Sequence, residues 1–320
     1  MIVRVFDAQS PPDAPMLAAL AEFERSFRYP LGTTQYFHIS HGAHYLPFFH
    51  AMGRAALFVA LREERVLGTI ACIERTLHHD GETIPAAYLC DLKMAPDARQ
   101  TRVMPRLILS AATQCRERNI TRAWSVVMRG TTRTPSTYTG RLEIPEFIHG
   151  GEITVMRLAS RGQCEVPQIR TVSPEVISDA RERISRHGYV AANGNSSLRS
   201  QMAPVHLLTA DGRACGTLED TLLGKRLMIG GDGGAGGELL STHLSGFAWS
   251  DPASGADLLR QAVSHSAALG ISGLFVSLPQ SAVQAFAKEL EDLSCTLAPA
   301  DIYVHGLPPD PHWWIDTADI

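Results

Sequence analysis

What this 320-residue chain lacks narrows its chemistry before any motif is read. Its six cysteines (Cys72, Cys90, Cys115, Cys164, Cys215 and Cys295) include no C-x-x-C pair, which argues against a zinc ribbon or a disulfide framework. Reduced cysteines in a cytoplasmic protein are the simple expectation. No run of ~18 apolar residues exists, so no membrane span is expected. The opening "MIVRVFDAQSPPD" has no basic n-region followed by an apolar core, so no signal peptide is expected either. A net charge of −4 is not the basic surplus of a general nucleic-acid binder. There is no G-x-S-x-G elbow and no Ser-His-Asp order. His38, His41, His44 and His50 lie close together, but no Cys, Asp or Glu falls among them and Gly42 interrupts the helical spacing, so no metal is expected.

The residues that are present describe an α+β protein with 45% hydrophobic and 19% charged residues, ordinary for a soluble globular chain. "IVRVFD" reads as a strand, and residues 13–26 as a helix capped by Asp13 with Met16, Leu17, Leu20 and Phe23 on one face. "AALFVALREERVLGT" (55–69) gives strand, turn, strand, and so does "APVHLLTADGRACGT" (203–217), with Gly-Thr matched at the end. "RLILSAATQCRERNITRAWSVV" (106–127) gives helix, link, strand, as does "DLLRQAVSHSAALGISGLFVSL" (257–278). Two collinear matches predict a tandem duplication. The expected division is 1–160, a connector over 161–175, and 176–320. "GGDGGAGG" (230–237) opens no helix and reads as a hairpin connection rather than a phosphate loop. Trp313 and Trp314 are expected to pack on the other domain.

The stretch "YLCDLKMAPDARQTRVMPRLILSAA" (88–112) carries the chemistry. An apolar strand enters a basic loop and then a helix, which aims backbone N–H groups at an anion near the helix N-terminus. Pro96, Arg99 and Leu107 have the spacing of the GNAT superfamily, the acyl-CoA-dependent N-acyltransferases, and residues 55–158 resemble its domain. Arg102 and Met104 depart from the glycines of that family's loop. N–H donors do not depend on side chains, and Arg99, Arg102 and Arg106 add charge suited to phosphates.

The resemblance implies tandem GNAT-like domains, each a mixed, mostly antiparallel sheet flanked by helices, with acetyl-CoA or another acyl-CoA as co-substrate and a small-molecule amine as acceptor. It implies that loop residues Arg99, Gln100, Thr101, Arg102, Val103 and Met104 hold the pyrophosphate. Leu92, Lys93 and Met94 would pair through their main chain with the pantetheine arm. Asp91 would help deprotonate the amine, and Tyr138, in "TPSTYTGRL", would protonate the leaving thiolate. The histidine-rich segment before Gly53 would line the acceptor pocket or cap the surface. The matching loop of the second repeat, "SDPASG" (250–255), has no Arg, Lys or Gln, which makes that repeat the degenerate one. A non-catalytic ligand-binding or assembly protein on the same fold stays open, as do a donor on an acyl carrier protein or aminoacyl-tRNA and a homo-oligomer.

Overall fold

A computed structural model describes residues 1–31, 35–99, 101–159, 169–184, 187–230 and 237–320. Gln100, Cys164, the first part of the connector (160–168) and most of the glycine-rich stretch (231–236) lie outside the described residues.

The first half runs β1 (Ile2–Phe6), α1 (Ala14–Arg25), β2 (Tyr29–Leu31), β3 (Gln35–Ser40), α2 (Pro47–Met52), β4 (Arg54–Arg62), β5 (Arg65–His79), β6 (Glu82–Met94), α3 (Val103–Glu117), β7 (Ala123–Met128), α4 (Pro135–Tyr138) and β8 (Ile148–Ala159). The second runs β9 (Ile169–Thr171), α5 (Pro174–Arg183), β10 (Tyr189–Ala191), β11 (Val205–Thr209), β12 (Ala214–Glu219), β13 (Arg226–Gly230), β14 (Gly237–Glu238), β15 (Thr242–Trp249), α6 (Pro252–Ala268), β16 (Gly273–Pro279), α7 (Val283–Glu289), β17 (Cys295–His305) and β18 (Trp313–Trp314).

Local rules set the element ends. Asp13 Oδ1 accepts the Met16 N–H at 3.1 Å and starts α1. Pro47 opens α2, where its missing donor is harmless, and Gly53 ends it. β4 is buried from Ala55 to Leu61 between two exposed arginines, as a strand covered on both faces must be.

The repeat is visible in the pairing. In the first half β4–β5 and β5–β6 are antiparallel and β6–β7 parallel. In the second, β11–β12 and β12–β15 are antiparallel and β15–β16 parallel. The main sheet has the order β1-β4-β5-β6-β7-β17-β8-β16-β15-β12-β11-β9, a palindrome of the two repeats. Its centre departs from the sequence-based expectation. β8, the last strand before the expected boundary at residue 160, does not lie beside β7. It pairs with β16, and β17 from the second half takes the place next to β7. The repeats exchange their last strands, so the boundary at residue 160 divides the chain but not the sheet.

The halves are tied further by a buried charge network. Arg75 on β5 donates to Asp319 Oδ2 at 2.6 Å, while Arg199 donates to Asp319 Oδ1 and, at 2.6 Å, to Glu219 Oε1 on β12. A small second sheet, β14-β13-β3-β2, also combines both halves. The strands flanking the glycine-rich stretch pair antiparallel there, in keeping with a hairpin. Trp313 is buried, stacks on Tyr189 and donates to Gly150 O at 3.0 Å, which is the packing role expected of the tail. Among the described residues no helix is long and apolar enough to cross a membrane.

Candidate active site

β6 and β7 share only the pairs Ala87–Ala123 and Tyr88–Trp124, then part. The cause is a bulge in β6. Thr69 opposes Lys93 and Ala71 opposes Cys90, so Asp91 and Leu92 together face Ile70. Asp91 takes a left-handed backbone there (φ 54), strained for a residue with a Cβ and best tolerated by Asp or Asn. The result is a strand edge from residue 89 to 94 with no partner strand on its β7 side among the described residues. At the apex, Trp124 Nε1 and Ser125 Oγ are buried and lack a hydrogen-bond partner among the described residues. Such an edge, with unused polar atoms at its base, suits an extended amide-bearing chain laid along it as an extra strand.

The Asp91 side chain leaves the bulge into a buried polar network. Lys93 Nζ stands 2.5 Å from Asp91 Oδ1 and 3.5 Å from Glu24 Oε1 on α1. Glu24 accepts from the His41 backbone N–H at 3.1 Å and pairs with His41 Nδ1. The Tyr45 hydroxyl donates to Asp91 Oδ2 at 3.2 Å, and Tyr45 also has a left-handed backbone (φ 59). Two strained non-glycine residues therefore meet through one hydrogen bond. Burial opposes the Lys93 charge, but Asp91 and Glu24 outweigh it and hold the ammonium above the usual lysine range. Burial likewise opposes ionisation of Glu24, and His41 and then Lys93 overturn it, leaving that carboxyl below its ordinary range. Burial pushes the Tyr45 hydroxyl well up, with Asp91 adding to it.

The expected site residues fall into three places. Asp91, Leu92, Lys93 and Met94 form the bulged edge. The Lys93 side chain was given no role by the sequence, yet it is the centre of the polar network. Arg99, Thr101, Arg102, Val103 and Met104 form the entry to α3. Arg99 and Arg102 are exposed, Val103 is core at 1% exposure, and Met104 is half-buried. The Val103 N–H is taken by Thr101 Oγ1 at 3.3 Å and Pro105 has none, so the set of amides free for a phosphate is narrower than the loop's length suggests. Gln100 lies outside the described residues.

Tyr138 stands apart at the end of α4. Burial, then Tyr303, pushes its hydroxyl up to about 12. Tyr303 pairs with Ser125 whereas Trp124 pairs with Tyr88, so Tyr303 lies on the face of the sheet opposite Tyr88. Among the described residues no hydrogen bond joins Tyr138 to the Asp91 network.

Sequence reasoning missed Glu24, Tyr45 and the true role of His41. Glu24 had a readable signal, since it follows Leu20 by four places and so falls on the apolar face of α1. His41 was weighed as a metal ligand, a pocket lining or a cap, and is a buried partner of Glu24. Among the described residues the grouping suited to a metal is His149, Glu152 and Asp301, where Arg129 already bridges Glu152 at 3.0 Å and Asp301 at 2.7 Å.

Comparison with known proteins bears on the fold. Residues 22–131 match the family model for the acetyltransferase (GNAT) domain. No curated protein sequence matches the chain. Among solved structures, Saccharomyces cerevisiae N-myristoyltransferase with bound myristoyl-CoA superposes with a TM-score of 0.65 at 10% identity, covering 98% of this chain and 84% of that one. A GCN5-related N-acetyltransferase from Anabaena variabilis gives 0.54 at 12% identity, covering 95% and 72%. At such identities the likeness establishes the fold, two GNAT-like lobes in tandem. The GNAT domain match thus lies in the first half, at residues 22–131, and the fold of tandem GNAT-like lobes extends over both halves.

Proposed function

We propose that the first repeat is an acyltransferase that moves an acetyl or other acyl group from acyl-CoA to a small-molecule amine. The observation that carries this reading is the bulged, unpaired edge of β6 beside a buried ionised network. The pantetheine arm lies along Leu92, Lys93 and Met94, and its phosphates reach the N-terminus of α3, where the remaining amides and Arg99 and Arg102 meet them. The acceptor ammonium gives a proton to Asp91, directly or through water. Its nitrogen lone pair attacks the thioester carbonyl, the C–S bond breaks, and the thiolate takes a proton from Tyr138, whose phenolate is restored by the second proton that the nitrogen sheds through water. A hydroxyl pushed up to about 12 keeps its proton through neutral pH, as a donor must. The protein is read as cytoplasmic.

Calorimetry with CoA, acetyl-CoA and longer acyl-CoAs tests this. Saturable heat with one site per chain is expected, and ligand at ~100 times its dissociation constant would stabilise the fold by ~2.7 kcal/mol. Absence of heat with all of them sinks the reading. The capped Val103 N–H and the exposed arginines favour a second reading, a donor carried on an acyl carrier protein or aminoacyl-tRNA, which would then be titrated in turn.

A further inference from the structure

Lys93 lies where two carboxylates from distant parts of the chain converge. Asp91 comes from the bulge and Glu24 from α1, and both are largely withdrawn from water, at 9% and 2% side-chain exposure. Two buried carboxylates cannot both stay ionised close together without a cation, because desolvation and mutual repulsion each favour the protonated form. The other groups facing this point do not supply one. Tyr45, from the segment before α2, offers a neutral hydroxyl to Asp91. Tyr29, on β2, is a phenol that burial pushes up. His41, also before α2, is spent on Glu24. From the second repeat, Lys225 acts on Asp91 only at longer range, and burial followed by Arg199 draws it down to about 8. Cys90, beside Asp91, is a thiol that burial pushes up. That leaves Lys93 as the cation in direct contact with both.

We propose that Lys93 is the positioning residue of this centre: its ammonium, shared between Asp91 and Glu24, keeps both buried carboxylates ionised and holds Asp91 in place at the strained bulge. The α1 helix thereby becomes part of the reaction centre through Glu24, about 70 positions before the bulge. The electrostatic part of the proposal stands without any ligand, and its consequence for catalysis rests on the acyltransferase reading above.

The test compares melting temperature against pH for the wild type, Lys93→Met and Lys93→Arg. In the wild type Glu24 has a lowered folded-state pKa, so its stabilisation is present above the unfolded value, ~4.3, and is lost as pH falls through the folded one. Without the ammonium Glu24 keeps its His41 partner, but the two buried carboxylates lose the cation that touches both, so burial and mutual repulsion favour the protonated form of the pair. That part of the stability is then lost as pH rises. The gap between wild type and Lys93→Met should therefore widen by at least about 3 °C from pH 5 to pH 8, while Lys93→Arg shows a small, flat gap. A Lys93→Met gap that is constant with pH means a merely steric lysine and overturns the proposal. The double variant Glu24→Gln/Lys93→Met removes one charge along with its partner and should be the more stable of the two at pH 8. If Lys93→Met does not fold, a folded double variant supports the proposal and an unfolded one overturns it. With an amine found by screening, Lys93→Met should move the acid limb of the kcat profile up by about one pH unit or more. An unmoved limb denies Lys93 the positioning role. If the wild type binds no CoA, the acyltransferase reading falls and the melting series alone decides on Lys93.

Discussion

At the divergence of β15 and β16 the N–H of Gly246 donates to Asp316 Oδ1 at 2.7 Å, and Arg181 donates to the Gly246 carbonyl at 3.1 Å. Thr317, in the tail beside it, reaches Phe275 O at 3.2 Å and His243 Nδ1 at 2.9 Å. At the divergence of β6 and β7 the backbone has the same form. Gly246 (φ 58) and Phe247 face Gly216 as Asp91 (φ 54) and Leu92 face Ile70. The contents differ, for the chain's own tail fills the second wedge, while the first leaves its strand edge unpaired among the described residues. The helix that follows repeats the contrast. Asp251 caps α6 through the Ser254 N–H at 3.0 Å and is paired with Arg213, whereas α3 has an exposed arginine at its cap with no side-chain hydrogen bond. In the second repeat an acidic side chain already takes the backbone donors at the wedge and at the helix cap, Asp316 the first and Asp251 the second. The difference teaches that the two repeats keep one backbone wedge and fill it differently, and on the acyltransferase reading proposed above it is the unfilled wedge that takes the substrate.

The sharpest break in this comparison is Asp91→Asn. Asn tolerates the left-handed backbone and keeps the shape, and it removes the proton acceptor. With an active amine in hand, turnover should fall by roughly 10²–10⁴ while CoA affinity stays near the wild-type value. Unchanged turnover across the pH range would make Asp91 a structural carboxylate and would remove the chemical distinction between the two wedges. An equal loss of CoA affinity would place it in binding instead.

Next in size is Gly246→Ala in the closed wedge. A Cβ there would stand 2.4 Å from the Arg181 guanidinium, at a φ that disfavours any side chain. Arg181 would have to give up its bonds to Thr217 Oγ1 at 2.8 Å and to Ser245 O at 3.1 Å. A loss of about 3 kcal/mol is expected from a denaturant midpoint with m unchanged, and CoA titration should still report the wild-type affinity. A fall in CoA affinity would show that the ligand uses the second wedge.

How far the sequence reveals this comparison depends on the range of the interactions. The strands β4 to β7, α3 and the cap of α1 follow from local periodicity and turn chemistry, and all were legible. The duplication was legible too, with a slip. Matching Gly68–Thr69 to Gly216–Thr217 aligns the segments, yet relative to the bulges Gly216 stands where Ile70 does, two places further on. The exchange of β8 and β17 was not legible, since period-two alternation shows which residues face inward and not which strand lies alongside. The same holds for Glu24 meeting Lys93 and for Asp316 meeting Gly246. Each is a contact between distant parts of the chain, and each side chain alone looks like an ordinary charged residue.

The smallest expected effect concerns the mouth of the open wedge. Arg99 and Arg102 are exposed, so a phosphate near them is partly screened by water and salt, and each contact contributes modestly, on the order of 0.5–1 kcal/mol. Arg99→Ala and Arg102→Ala should each weaken CoA binding by about two- to fivefold, and the double variant by about the product, provided that the two do not share one oxygen. The loss should shrink as salt rises from 50 to 500 mM, which separates a charge effect from a folding effect. Melting temperature should not move, because among the described residues neither guanidinium forms an ion pair, and Arg102 heads α3 without a side-chain capping hydrogen bond. A control lies in the other repeat. Arg213, paired with Asp251 at 3.0 Å, is the nearest counterpart at the α6 terminus, and Arg213→Ala should leave CoA binding untouched. Equal losses at Arg99, Arg102 and Arg213 would mean that CoA responds to the field of the whole chain rather than to the α3 mouth. A loss confined to the first pair would make the glycine-poor loop a working phosphate site, held by backbone amides and two exposed charges.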